Sequence, residues 1–426
     1  MIPLRPPVYA LLLALLIGLS PSARAATEEW LEVPSGAEIP VRIHATEQGP
    51  RLVWLPSEHG GRPPEQIFEE LAAAGLETWM ADLHAGYFIP PGRSSLENMP
   101  VADVAELLAA AGADERPVIV VATGRSARLA LQATRERQGE DLDTAPVQGL
   151  IFFHPYFYAA RPEAGADASY LPIAYAVNVP VYLIQPGLSA KFWRLEEMSR
   201  VLAEGGAEVY AHPLPGLTDG FHQRSENDLT PEELAYRMRL PAVLERAARL
   251  LARRPAPAVA VPLPEVTPIP PRSVPSLGLR AVEPTPAPPL ALTDLDGIRH
   301  DLTDYRGEVV LLSFWASWCP PCVEELPSLN RLQADFEGRG LRVLSVDVGE
   351  TRETVEAFLA KISVDFPVLH DADGTTVPSW KIYAYPTNYL IDREGRLRYG
   401  HFGALDWSQP ESRAPIERLL GEAGAP

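Results

Sequence analysis

Cysteine is scarce in this chain: two residues in 426, Cys319 and Cys322, both in one short motif. A pair so close together cannot staple a large secreted fold, so a disulfide framework is excluded. Basic residues are also few, 37 against 56 acidic ones, for a formal charge of −19. No Lys/Arg cluster of the kind that faces phosphate is present, which excludes a nucleic-acid partner. Long hydrophobic runs are missing beyond the first two dozen residues, so no later segment can span a bilayer. Proline, by contrast, is abundant at 45 residues, and 46% of the chain is apolar. At roughly 100–200 residues per domain, this length predicts two or three folded units with sizeable cores, and the proline excess predicts at least one unfolded tract.

The first residues read Arg5, an apolar run from Val8 to Leu19, then Ala23-Arg24-Ala25. A positive start, an apolar stretch too short for an ordinary membrane span and a small-x-small site predict a secretory signal over residues 1–25. Cleavage after Ala25 would leave no stable membrane insertion and place the protein in the periplasm or another extracytoplasmic space; an uncleaved segment would anchor it to the membrane instead.

From 26 to 254 strand-like and helical runs alternate. Leu52–Leu55 precedes the helical Glu65–Ala74, Val118–Ala122 precedes Ala127–Arg137, and Val179–Gln185 precedes Phe192–Ala203. Such alternation predicts an α/β domain around a mostly parallel sheet. Between Pro255 and Pro289 the periodicity stops, and 12 of the 35 residues are proline. This composition predicts an extended polyproline linker, read as a passive spacer. A second domain is expected over 290–426.

In that second domain the apolar Glu308–Phe314 runs into Trp315-Ala316-Ser317-Trp318-Cys319-Pro320-Pro321-Cys322, and a helical stretch follows. This order puts Cys319 at a helix N-terminus, where N–H groups and the helix dipole stabilise a thiolate. Proline suits the first helical positions. Cys322 then falls one turn along, placed to attack a mixed disulfide formed on Cys319. Zinc normally takes four ligands, and His300, His370 and His401 are dispersed, so no metal site is expected. A static crosslink over so short a loop would constrain little unfolded-state entropy. A redox-active Cys319–Cys322 disulfide with no other cofactor is the reading that remains.

These residues, with Glu325-Leu326-Pro327, Tyr385-Pro386-Thr387, Leu390-Ile391-Asp392 and Gly395, resemble the exported thioredoxin-like thiol-disulfide oxidoreductases of the TlpA/ResA type. The resemblance covers about Pro284 to the C-terminus. It implies a four- or five-stranded sheet flanked by helices, with Pro386 in cis facing the cysteines and adjacent backbone pairing with substrate peptide. Trp315, Trp318, Pro320, Pro321, Tyr385 and Thr387 would support the site. The buried acid of thioredoxin falls here on Ser313; the family instead places an acid at Glu325, which would exchange a proton with the resolving thiol. The resemblance further implies protein disulfide substrates and a membrane thiol donor. The prolines lack N–H donors, no His separates the cysteines, and Glu324 and Glu325 add negative charge, all of which favours a reductase.

The first domain resembles the α/β-hydrolase fold over about Arg51–Leu251. His59-Gly60-Gly61 stands where such enzymes place oxyanion-hole residues, and Val118–Ser126 where they place the strand and nucleophile elbow. The nucleophile position falls on Gly124, or on Ser126 in a shifted register that Arg128 crowds. Asp219 stands where the catalytic His is expected, with His222 three residues on. The domain is therefore read as a hydrolase-like scaffold that has lost hydrolysis. The combined expectation is an exported oxidoreductase reducing protein disulfides, in cytochrome c maturation or another extracytoplasmic thiol pathway. Two alternatives stay open: a working serine hydrolase with an accessory redox domain, or a non-catalytic module that brings clients to the redox domain.

Overall fold

A computed structural model describes residues 26–138, 146–160, 162–265 and 278–422; the expected signal segment lies outside these. Eight strands build the first sheet: β1 (Thr27–Glu32), β2 (Glu38–His44), β3 (Arg51–Trp54), β4 (Glu77–Ala81), β5 (Val118–Thr123), β6 (Val147–Phe153), β7 (Val181–Leu188) and β8 (Val209–Thr218). Their order is β1-β2-β4-β3-β5-β6-β7-β8. The pairs from β4 to β8 are parallel, and β1 and β2 form an antiparallel edge.

Among the described residues seven α-helices accompany them: α1 (Glu65–Ala73), α2 (Leu83–Gly86), α3 (Val101–Ala111), α4 (Ser126–Arg137), α5 (Leu195–Ala203), α6 (Pro231–Arg237) and α7 (Leu240–Leu251). Central strands such as Val118-Ile119-Val120-Val121 are buried on both faces, which is why they read as continuous apolar runs rather than alternating ones. One core gathers α3, α4 and α5 on one face, and a second gathers α1 and α7 on the other. The amphipathic stretch 231–251 divides into two helices at Met238–Arg239, with Pro241 near the start of the second.

The second sheet has six strands rather than the four or five expected: β9 (Arg280–Pro286), β12 (Val309–Trp315), β13 (Leu341–Val348), β14 (Val368–Asp371), β15 (Thr387–Ile391) and β16 (Arg396–Phe402), in the order β14-β13-β12-β15-β16-β9. A small hairpin, β10 (Ala291–Thr293) with β11 (Arg299–Asp301), precedes β12. Helices α8 (Pro320–Asp335), α9 (Arg352–Leu359), α10 (Thr376–Ser379) and α11 (Pro410–Gly421) complete this unit.

The extra strand, β9, comes from the stretch expected to be linker. Its prolines are tolerated because an edge strand needs only part of its N–H groups paired. The start of that stretch is also held: Gln138 donates to the Pro257 carbonyl at 2.8 Å and Asn178 to that of Val259 at 2.8 Å. What lies between, 266–277, is outside the described residues.

The two sheets are packed together rather than merely tethered. Ala164, from the connection between β6 and β7, belongs to the apolar core on one face of the second sheet, beside Leu397 and Phe402. Among the described residues no helix is long and apolar enough to cross a membrane.

Candidate functional site

Strand β12 is buried along its whole length and delivers the chain to Cys319, which is the N-cap of α8. Pro320 and Pro321 open the helix, where a missing N–H costs nothing because the first turn has no internal acceptors. Helix α8 thus begins at Pro320, directly after Cys319. Cys319 and Cys322 are joined by a disulfide with Cα atoms 5.3 Å apart. Both sulfur-bearing residues are nearly enclosed, whereas the two prolines between them face solvent.

Helical spacing brings Glu325 onto the same buried face of α8 as Cys322. Its Oε1 accepts from Asn388 Nδ2, the Leu405 N–H and Trp407 Nε1, each at 2.9 Å. Burial dominates over these three donors and pushes the carboxyl up to about 8. With all three donors on one oxygen, the other is left to carry the proton. A carboxyl that titrates near neutral pH beside a cysteine pair can take up or release a thiol proton.

Opposite α8, the Tyr385–Pro386 peptide bond is cis. Tyr385 packs edge-on against Trp318, ring centroids 5.7 Å apart, which brings the proline loop beside the disulfide. Gly403 N–H donates to the Pro386 carbonyl at 2.8 Å, and the Thr387 hydroxyl donates to the Ala384 carbonyl at 2.6 Å, so the loop is held at both ends. Trp315 lies in the same core and packs on Phe358.

Sequence reasoning missed Glu350. It accepts from the Ser317 N–H at 2.5 Å and from the Ser317 hydroxyl at 2.6 Å, two residues before Cys319. Behind it Asp347 is fully buried, and desolvation, together with the charges of Glu350 and Asp371, raises its carboxyl far above the ordinary range. The available signal was the run Val346-Asp347-Val348-Gly349-Glu350: acids where a buried parallel strand ends beside the motif strand.

The first domain's candidate residues do not assemble a catalytic group. Gly124 stands at φ +60° in the turn after β5 and has no side chain to offer. Ser126 is fully buried; its hydroxyl donates to the Thr123 carbonyl and accepts from the Thr123 N–H, both at 2.9 Å. His222 is also fully buried, stacks on Phe153 at 4.0 Å and meets the Thr123 hydroxyl at 3.2 Å. Burial holds its pKa well below 6.5, so it is neutral.

His59 and Gly60 lie exposed in a surface turn. Glu58 beside them points inward and accepts from the Arg125 N–H at 3.1 Å, so a carboxylate already occupies the donor that an oxyanion would use. The aromatic run 152–158 is mostly core, as Phe152, Phe153 and Phe157 are buried.

Residues 284–400 match the AhpC/TSA family. The thiol-disulfide oxidoreductase ResA of Geobacillus kaustophilus is 38% identical over 129 residues, covering 30% of this chain and 71% of that protein. The chain belongs to the ResA family of thiol-disulfide oxidoreductases. ResA of Geobacillus thermodenitrificans is 38% identical over 107 residues, and the chain spans 62% of its length. A solved structure, a putative thiol:disulfide interchange protein DsbE from Chlorobium tepidum, is 32% identical and is covered completely by 33% of this chain, with a TM-score of 0.32. Within the ResA-like domain, no group of three or more His, Cys, Asp or Glu among the described residues is arranged to hold a metal ion.

Proposed function

We propose that the protein reduces disulfides in other proteins through Cys319 and Cys322, in an extracytoplasmic compartment. The Cys319 thiolate attacks a substrate disulfide, forming a mixed disulfide and expelling one substrate thiolate. Cys322 then attacks Cys319, expelling the second substrate thiol and forming the Cys319–Cys322 disulfide. The substrate gains two electrons and the dithiol loses them, so a membrane thiol donor must reduce the pair again. Glu325 accepts the Cys322 proton as that thiol becomes a nucleophile, and the backbone beside cis Pro386 aligns the substrate strand.

The observation that carries this reading is the juxtaposition at the start of α8: the cysteine pair at the helix N-terminus, a buried carboxyl one turn on, and the proline loop against Trp318. Cys322→Ser tests it. The variant should accumulate mixed disulfides through Cys319 that mass spectrometry can identify, and a variant that captures no protein would reject the function.

For the first domain we propose a hydrolase-like scaffold used as a non-catalytic module. The enclosed Ser126 hydroxyl and the carboxylate on the Arg125 N–H favour this over a working hydrolase. Trapping with and without the N-terminal domain should change the set of captured clients. The same set from both would remove the client-binding role.

A further inference from the structure

The first domain reaches the redox centre itself. Between β6 and β7 the chain crosses to the second sheet, where the Gly165 N–H donates to the Tyr389 hydroxyl at 3.1 Å and the Ala168 N–H to the Tyr383 hydroxyl at 2.9 Å. After β7 it crosses again at 192–194. Arg194, almost fully buried, sets its guanidinium 4.5 Å above the Tyr383 ring and donates to the Val377 carbonyl at 3.3 Å. Asp167 pairs with Lys381. Directional bonds of this kind fix one relative placement, whereas apolar packing alone would tolerate sliding.

Within this contact Trp193 lies against two glycines. A Cβ at Gly349 would fall 2.6 Å from Trp193 Cζ2, and one at Gly374 would fall 2.5 Å from its Cε3. Both glycines have positive φ, so each supplies the backbone turn and the space for the indole. Gly349 immediately precedes Glu350, the acceptor of the Ser317 N–H. Gly374 follows β14 in the turn that Asp371 ties down through Thr375 and Thr376. The Tyr385 hydroxyl faces the same indole. One side chain of the first domain therefore touches the turn before Glu350, the turn after β14 and the tyrosine beside cis Pro386.

We propose that Trp193 is a positioning residue: seated against Gly349 and Gly374, it holds the Tyr385–Pro386 loop in the placement with which an extended, disulfide-bearing polypeptide pairs. This rests on the reductase reading above. A polypeptide laid along the proline loop depends on that loop's placement, whereas a small disulfide needs only the cysteines. Trp193 therefore governs the capture of protein substrates more than the exchange chemistry.

The experiment uses the full chain, kept reduced during turnover by dithiothreitol, with insulin and hydroxyethyl disulfide as oxidants. Trp193→Ala should raise KM for insulin about tenfold, as the loop that receives the polypeptide loses its preorganised placement. Its kcat and the rate with hydroxyethyl disulfide should stay within about twofold of the parent. Trp193→Phe should restore most of the insulin KM, because a ring again fills the space between the glycines. Gly374→Ala, which presses on the indole from the other domain, should reproduce the insulin defect. Equal losses with both oxidants accompanied by a lowered melting temperature, or an unchanged insulin KM in Trp193→Ala and Gly374→Ala alike, would overturn the proposal. A parent protein that reduces neither oxidant would instead overturn the reductase reading.

Discussion

The chain builds the same local device twice and arms it once. In both domains a fully buried strand ends in a tight turn from which a helix departs: β5 into Gly124 and α4, β12 into Cys319 and α8. Such a turn presents a side chain at the edge of a sheet, against the positive end of a helix. In the second domain that side chain is a cysteine with a partner one turn on. In the first it is a hydrogen atom, the neighbouring Ser126 hydroxyl is consumed by the turn itself, and Glu58 occupies the free N–H. The contrast teaches that fold supplies the position and the side chains decide whether chemistry happens there.

The sharpest break between the two sites comes from Cys319→Ser. It should reduce insulin turnover to the uncatalysed background, since the remaining Cys322 is buried and placed to attack only a sulfur already held on Cys319, while leaving the first domain's melting unchanged. Residual turnover well above background would show that the redox activity is not confined to the second turn.

Next in size is a pH effect that Glu325 imposes on the second site. Glu325 titrates near 8 in the folded protein and near 4.5 when unfolded. Below pH 4.5 both states hold the proton and the group costs nothing. As pH rises from about 4.5 to 8 the unfolded chain releases its proton first, so the folded state loses stability. Integrated over that window the loss is on the order of a few kcal/mol. Glu325→Gln should flatten it, so in denaturant titrations of the oxidised protein the variant gains on the parent up to pH 8 and the difference then levels off. Parallel curves across this range would mean that burial does not raise the Glu325 carboxyl, and would remove it as a group that titrates in the range of the thiol it serves.

The two domains were not equally legible in the sequence. The cysteine motif could be read because strand, turn, cysteines and prolines all obey local rules, and those rules hold at Pro320 and Cys322. Glu325 followed from helical spacing and family pattern. Glu350 did not, because its role arises where two strands distant in sequence lie side by side, and no local periodicity announces that. The stretch 255–289 misled for a different reason. Proline density predicts extended backbone, and extended backbone is also what an edge strand needs, so Arg280–Pro286 satisfied both readings until pairing with β16 decided between them. Trp193 was hidden altogether, since a domain contact depends on surfaces that meet only after both cores have formed.

A smaller effect separates turn chemistry from catalysis in the first domain. Ser126→Ala should cost about 1–3 kcal/mol of stability, because the Thr123 N–H and carbonyl are left buried without their partner. Neither parent nor variant should react with a fluorophosphonate probe. Labelling of the parent that disappears in Ser126→Ala would restore the serine hydrolase and dissolve the contrast between the two turns.

The smallest expected effect concerns Glu58. Glu58→Ala frees the Arg125 N–H to water, since the turn is only partly buried, and should lower stability by about 1 kcal/mol, the worth of one hydrogen bond. The same change removes a carboxylate that a Cβ at Gly124 would approach within 2.7 Å. Gly124→Ser should therefore be less destabilising in the Glu58→Ala background than alone, although the positive φ keeps part of the cost in both. Thermal melts of the two single variants and the double variant give the coupling directly. If Glu58→Ala alone also altered insulin reduction, the first turn would be communicating with the second through the docked 192–194 segment, and the silent site would have a role in the active one.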